Sequence, residues 1–84
     1  MKASVEISYY PLQEEYVSPI RGFIDRIRSY KELTVRTNGM STQIFGEFEL
    51  LMAAVTREIG HSFDVEPSVF VMKVVNADLN TRES

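Results

Sequence analysis

Hydrophobic and polar residues alternate from the start of the chain. In "ASVEISYYPL", Val5, Ile7 and Tyr9 fall on one face, and Ser4, Glu6, Ser8 and Tyr10 on the other. This period of two predicts a half-buried strand ended by Pro11. The period then lengthens. Through "EEYVSPIRGFIDRIRSY", Tyr16, Ile20, Phe23, Ile24, Ile27 and Tyr30 form one helical stripe. Pro19 is tolerated in the first turn, whose amides have no partner inside the helix. Glu14 and Glu15 suit the positive end of the helix dipole, and Asp25 is spaced to pair with Arg21 and Arg28. "LTVRT" and "STQIFG" then read as two short strands around an Asn-Gly turn. "EFELLMAAVTREIG" reads as a second helix with Phe48, Leu51, Met52, Val55 and Ile59 inward and Gly60 as its stop. "SVFVMKVVNA" is the last strand, and "DLNTRES" a polar, frayed tail.

The order β-α-β-β-α-β predicts an α+β, ferredoxin-like sandwich: one antiparallel sheet in the order 4-1-3-2, with two helices on one face. No repeat or linker interrupts it, so residues 1–84 read as a single domain. The hairpin register stays open. A turn centred on Asn38-Gly39 pairs Val35 with Thr42, and one centred on Gly39-Met40 pairs Val35 with Ile44. The two differ by an even step, so both keep Leu33, Val35 and Ile44 on the core face.

Composition narrows the function. A chain of 84 residues has a marginal core, because so small a domain buries only about 60–65% of its unfolded surface. It has no cysteine and a single histidine, so disulfides and thiolate or histidine-rich metal sites are ruled out within one chain. Oligomerisation is the remaining route to extra burial. The last strand points the same way. Val69, Val71 and Val75 occupy one face and Phe70, Met72 and Val74 the other. The expectation is that a second subunit buries Phe70 and Met72, giving a homodimer or homotetramer. A net charge of −3 with no dense basic patch argues against nucleic-acid binding. No apolar run approaches the ~20 residues of a membrane span, and "MKASVEIS" has no signal-peptide core. A cytoplasmic location is the expectation.

Familiar catalytic arrangements do not emerge. His61 in "GHSFD", with Asp64 and Glu66 behind it, reads as a helix-end or pocket-edge residue. Ser62, His61 and Asp64 are too close in sequence for a triad. Gly39, Gly46 and Gly60 make no phosphate loop. Glu47, Glu49 and Glu58 read as the solvated face of a helix. No cofactor is implied.

The hairpin tip is richer. "RTNGMSTQIFGEF" carries Thr37, Asn38, Ser41, Thr42 and Gln43, more hydrogen-bonding side chains than a turn requires. The topology brings this tip to the end of strand 1, where Tyr9 and Tyr10 lie and the first helix begins. Glu6, Ser8 and Tyr10 should lie beside Ser41, Gln43 and Arg36 on the face away from the helices. Hydroxyls and amides both donate and accept, tyrosines stack and attract cations, and Glu6 balances positive charge. The set suits a small planar ligand with several hydrogen-bonding nitrogens. It is equally what a turn and two strand ends would carry.

"VEISYYPL", "YVSPI" and "TNGMSTQIFGEF", followed by "LMAAV", resemble the YkoF-like family over Ser4 to about Ala77. That family belongs to a superfamily of small thiamine-binding proteins of ferredoxin-like fold. The resemblance implies non-catalytic binding of thiamine or its hydroxymethylpyrimidine precursor, as carrier, buffer or sensor. It places Tyr10, Thr37, Asn38, Ser41, Thr42 and Gln43 at the ligand. Some members hold two such modules in tandem. This chain holds one, so a matching arrangement would need a second subunit. The alternative is an oligomeric regulatory module without such a ligand, and a third is an enzyme whose site is completed across subunits.

Overall fold

The computed structural model describes residues 1–80. Its elements are β1 (Lys2–Pro11), α1 (Val17–Arg28), β2 (Thr34–Thr37), β3 (Thr42–Glu47), α2 (Phe48–Val65) and β4 (Ser68–Val75). The strands form one antiparallel sheet in the order β2-β3-β1-β4, which is the ferredoxin-like arrangement. Val35 pairs with Ile44 and Thr37 with Thr42, which selects the register centred on Gly39-Met40.

The alternation in β1 does what it predicts. Val5 and Ile7 face the helices and join Phe23 and Ile27 of α1, Ile44 of β3, and Leu51, Ala54 and Val55 of α2 in the core. Leu33, just before β2, closes its far edge. Tyr16 heads the predicted stripe of α1 but is exposed, because it precedes the helix as its N-cap residue. Glu15 sits just outside as well, its carboxylate accepting from Ser18 N at 3.4 Å.

Several expectations need correction. Gly60 does not end α2, which continues to Val65 and stops ahead of Pro67. A glycine within a helix costs about 1 kcal/mol relative to alanine. Tertiary contact offsets that, because the buried face of α2 runs on through Glu58 to Ser62, where Arg26 of α1 donates to both. His61 therefore lies within the helix, exposed, rather than in a loop after it. Glu58 is not on a solvated face: it is 7% exposed and bonded across to α1. Asp25 forms no ion pair with Arg21 or Arg28 among the described residues.

The faces of β4 are also settled. Phe70 pairs opposite Tyr9, on the helix side. It stacks on Tyr9 with centroids 4.3 Å apart and meets Phe23 at 5.2 Å and Phe63 at 5.7 Å. These contacts half-bury Phe70 within the chain itself, whereas Met72, opposite Ile7 on the same side, stays 38% exposed. The open face of β4 carries Val69, Val71, Lys73 and Val75, opposite Tyr10, Ser8, Glu6 and Ser4. After β4 the chain turns back over that face. Ser4 Oγ donates to Ala77 O at 2.7 Å and accepts from Leu79 N at 2.9 Å, so the tail is tied down at least this far. The rest of the predicted frayed tail lies outside the described residues.

Candidate functional site

A groove of about 560 Å³ opens where the end of β1, the first half of α1 and the hairpin tip converge. This falls within the volumes typical of small-molecule sites. Its floor is apolar and belongs to the helix side of the sheet: Ile7 from β1, and Ile20, Phe23 and Ile24 from α1. Helical spacing puts these three α1 residues on one stripe, and Ile20 and Ile24 are only half-buried because the groove leaves them open.

Three tyrosines shape the walls. Tyr9 is fixed: its ring is held by Phe70 and Phe23, and its hydroxyl donates to the Glu66 carboxylate at the end of α2. Burial, reinforced by that carboxylate, pushes the Tyr9 hydroxyl above its ordinary pKa, so it stays protonated. Tyr10 and Tyr16 line the groove with their rings largely in solvent, each 53% exposed. They form a mouth able to stack on a planar group.

Polar groups enter from two loops. Gln13 and Glu14 come from the β1–α1 connection, and Asn38, Ser41 and Thr42 from the hairpin. Asn38 closes the turn. Its N–H donates to Ser41 O at 3.1 Å, and its Oδ1 accepts from Met40 N at 2.7 Å and Ser41 N at 3.0 Å. No residue here has positive φ, so the Asn-Gly pair makes the turn through the asparagine side chain and not through left-handed backbone. Oδ1 is thereby used inside the turn, while the amide Nδ2 has no partner among the described residues and can donate to a ligand. Thr42 is buried on the helix side and lines the groove, a position from which a hydroxyl can meet a ligand away from water.

The predicted set does not gather at one place. Tyr10, Asn38, Ser41 and Thr42 line this groove. Thr37 pairs with Thr42 but lies in the adjoining groove along α1, its hydroxyl accepting from Arg28 Nη2 at 3.3 Å. Glu6 and Gln43 sit opposite each other on the open face, lining a separate groove of about 460 Å³ with Phe45 and Leu79. Glu6 is already engaged: it accepts from Ser41 Oγ at 3.0 Å and pairs with Lys73 at 3.3 Å. The Ser41 hydrogen bond, with Lys73 beside it, holds the Glu6 carboxyl below the usual range. The carboxylate that does line the hairpin-end groove is Glu14.

Glu14 was legible only as a helix-start residue and Tyr16 only as the head of the apolar stripe, and Gln13 carried no motif. The usable signal was topological: the β1–α1 connection must lie at the same end of the sheet as the hairpin tip. Among the described residues, no three His, Asp or Glu side chains converge in a way that could hold a metal ion.

No family model matches the chain, and no curated protein matches it by sequence. Solved structures do. The chain is similar to a protein from Thermotoga maritima (TM0486) provisionally assigned to thiamine biosynthesis or salvage, with TM-score 0.82 and 21% identity over 92% of this chain and 85% of that one. It is similar to hypothetical protein MJ1052 from Methanocaldococcus jannascii, with TM-score 0.78 and 23% identity over 95% and 84% of the two chains. Protein SP2199 from Streptococcus pneumoniae gives TM-score 0.73 at 22% identity, over 94% and 90%. At these identities the likeness is one of fold, and the α+β sandwich described above is the fold they share with this chain.

Proposed function

We propose that this protein binds thiamine or its hydroxymethylpyrimidine precursor without chemically altering it. The observation that carries the reading is the groove at the hairpin end, where hydrogen-bonding groups stand over an apolar floor behind an aromatic mouth. An aminopyrimidine lies flat on Ile7, Ile20 and Ile24. Asn38 Nδ2 donates to a ring nitrogen, and the Thr42 hydroxyl meets the exocyclic amine. The thiazolium of thiamine then reaches Tyr10, Tyr16 and Glu14, where cation–π attraction is worth about 0.5–2 kcal/mol. Hydroxymethylpyrimidine uses only the inner half. The provisional assignment of the Thermotoga maritima protein supports the same ligand class, as does the family resemblance of the hairpin sequence. A role as carrier, buffer or sensor in the cytoplasm fits such a site.

The test is a titration of purified protein with both compounds. Thr42→Val keeps the shape of the side chain and removes its hydroxyl. It should weaken both ligands by roughly 5–150-fold, the cost of about 1–3 kcal/mol for a desolvated hydrogen bond. Tyr10→Ala should weaken thiamine more than hydroxymethylpyrimidine. Unchanged affinity in Thr42→Val would move the site elsewhere, and absence of binding by either compound would end this reading.

One observation favours a second role, assembly. The open face of β4 presents Val69, Val71 and Val75, with Val71 55% exposed. We propose a second copy of the chain as its cover. The Glu6–Lys73 pair neutralises the charges between β1 and β4, and the one further charge in that row, Arg36, stands out on the β2 edge, so two copies can approach about a two-fold axis on the valine side. Four strands ~4.8 Å apart and a β4 about 27 Å long give a face of at most roughly 500 Å², part of which the chain's own Ala77 and Leu79 cover at Ser4. Two such faces bury at most about 1,000 Å², at the lower limit for a specific interface.

A further inference from the structure

The hairpin turn also carries a covalent chemistry. Asn38 and Gly39 are both exposed, and nothing lies within 4 Å of the place a Gly39 side chain would occupy. Among the described residues, the Gly39 N–H donates to no other group. The Asn38 side-chain carbonyl is in the opposite situation, with Met40 N–H at 2.7 Å and Ser41 N–H at 3.0 Å both aimed at its oxygen. Two backbone donors on one carbonyl oxygen polarise the carbon and stabilise negative charge that develops on that oxygen. The nearest nucleophile is the nitrogen of Gly39, one residue along the chain.

We propose that Asn38 is a self-modification site, deamidating within the native turn at least as fast as in the unfolded chain. A solvent base removes the Gly39 amide proton, and the nitrogen attacks Asn38 Cγ. The new C–N bond closes a five-membered ring, and the carbonyl electron pair moves onto Oδ1, where the Met40 and Ser41 N–H groups receive it. Collapse of this adduct breaks the Cγ–Nδ2 bond, and the nitrogen takes a proton from solvent and leaves as ammonia. Water then opens the ring at either carbonyl, giving aspartate or isoaspartate. One water is consumed, one ammonia is released, and nothing is oxidised or reduced. Folded turns generally slow this reaction by restraining the attack. The two donors on Oδ1 distinguish this one.

The product changes the groove. A neutral amide donor becomes a carboxylate, and isoaspartate adds a backbone carbon between the paired Thr37 and Thr42. Either product removes the hydrogen bond that the proposed function assigns to Nδ2. A ligand seated on Asn38 should also shield it from attack, a consequence that rests on the proposed function.

The full chain, incubated at mildly alkaline pH natively and in urea, tests this by peptide mass and isoaspartate content at position 38. The expected result is a native-to-unfolded rate ratio of one or more, with Asn76 and Asn80 as slower internal references. Met40→Pro removes one donor and should lower the native rate but not the rate in urea. Asn38→Gln should abolish the signal. A native rate below the rate in urea would show a protective turn and overturn the proposal. Failure of ligands to slow the native reaction would count against the ligand site alone and leave the deamidation itself standing.

Discussion

Two donors converge on the carboxylate of Glu58. Arg26 Nε reaches Oε1 at 2.7 Å, and the Tyr30 hydroxyl reaches Oε2 at 2.7 Å. Arg26 extends the network to Ser62 Oγ at 3.0 Å. Burial by itself would raise the Glu58 pKa. The hydrogen bonds from Tyr30 and Arg26, together with the Arg26 charge, outweigh it and hold the carboxyl below its usual range. The stability this adds is therefore full above the unfolded carboxylate pKa of about 4.3 and is lost as pH falls through the lower folded value. Glu58→Gln should cost about 1.5–3 kcal/mol at neutral pH, as expected for charge-assisted hydrogen bonds with Arg26 still partly in water. Urea unfolding of parent and variant across pH should show a constant gap above about pH 5 that closes below about pH 4. A gap that persists unchanged into acid would mean that Glu58 stabilises by packing and not by charge.

The strands differ in what each requires. β3 is central, and Gly46 lies against Leu33: a Cβ there would meet Leu33 Cδ2 at 2.6 Å and Glu32 O at 3.5 Å. Leu33 is buried, so it has little room to move. Gly46→Ala should destabilise by about 1–3 kcal/mol through overpacking, whereas Gly39→Ala, with open space around it, should have little effect on stability. Thermal unfolding of the two variants checks this. β4 is an edge strand with valines on its open face and one lysine. If a second copy covers that face, Val71→Lys should convert a dimer to a monomer in sedimentation at micromolar concentration. A parent already monomeric under those conditions would remove the assembly proposal.

For the molecule as a whole, the proposed ligand binding would be linked to folding. The groove is built from β1, α1 and the hairpin together, so it exists only in the native state. A ligand at 100 times its Kd then adds about 2.7 kcal/mol of stability. In a domain this small each kcal/mol moves Tm by roughly 4–8 °C. Thiamine at saturating concentration should therefore raise Tm on the order of 10 °C or more. Hydroxymethylpyrimidine should do the same at a higher concentration, because it lacks the contacts at the mouth. Absence of any shift at millimolar concentration would favour the assembly role alone.

Element order, sheet order and most of the core could be read from the chain, because periods of two and 3.6 are local consequences of which face is buried. Val5, Ile7, Phe23, Ile27, Ile44, Leu51 and Val55 declared themselves in this way. The hairpin tip was legible as a polar cluster for the same reason: its residues are neighbours in sequence. What eluded the pattern depended on partners distant in sequence. Glu58 looks solvated until Arg26 and Tyr30 are brought against it. Gly60 looks like a stop until α1 is seen to hold the helix beyond it. Phe70 and Val71 are equally apolar, and only pairing with Tyr9 and Ser8 of β1 decides which one faces the core. The candidate site divides along the same line. Asn38 and Thr42 could be named from the hairpin, but Glu14 and Tyr16 join them only because chain folding sets the β1–α1 connection beside the turn. The place of Glu6 and Gln43 on the open face was legible from the period of two, since adjacent residues of a strand point to opposite sides of its sheet; that the groove opens on the other side was decided by the packing of α1.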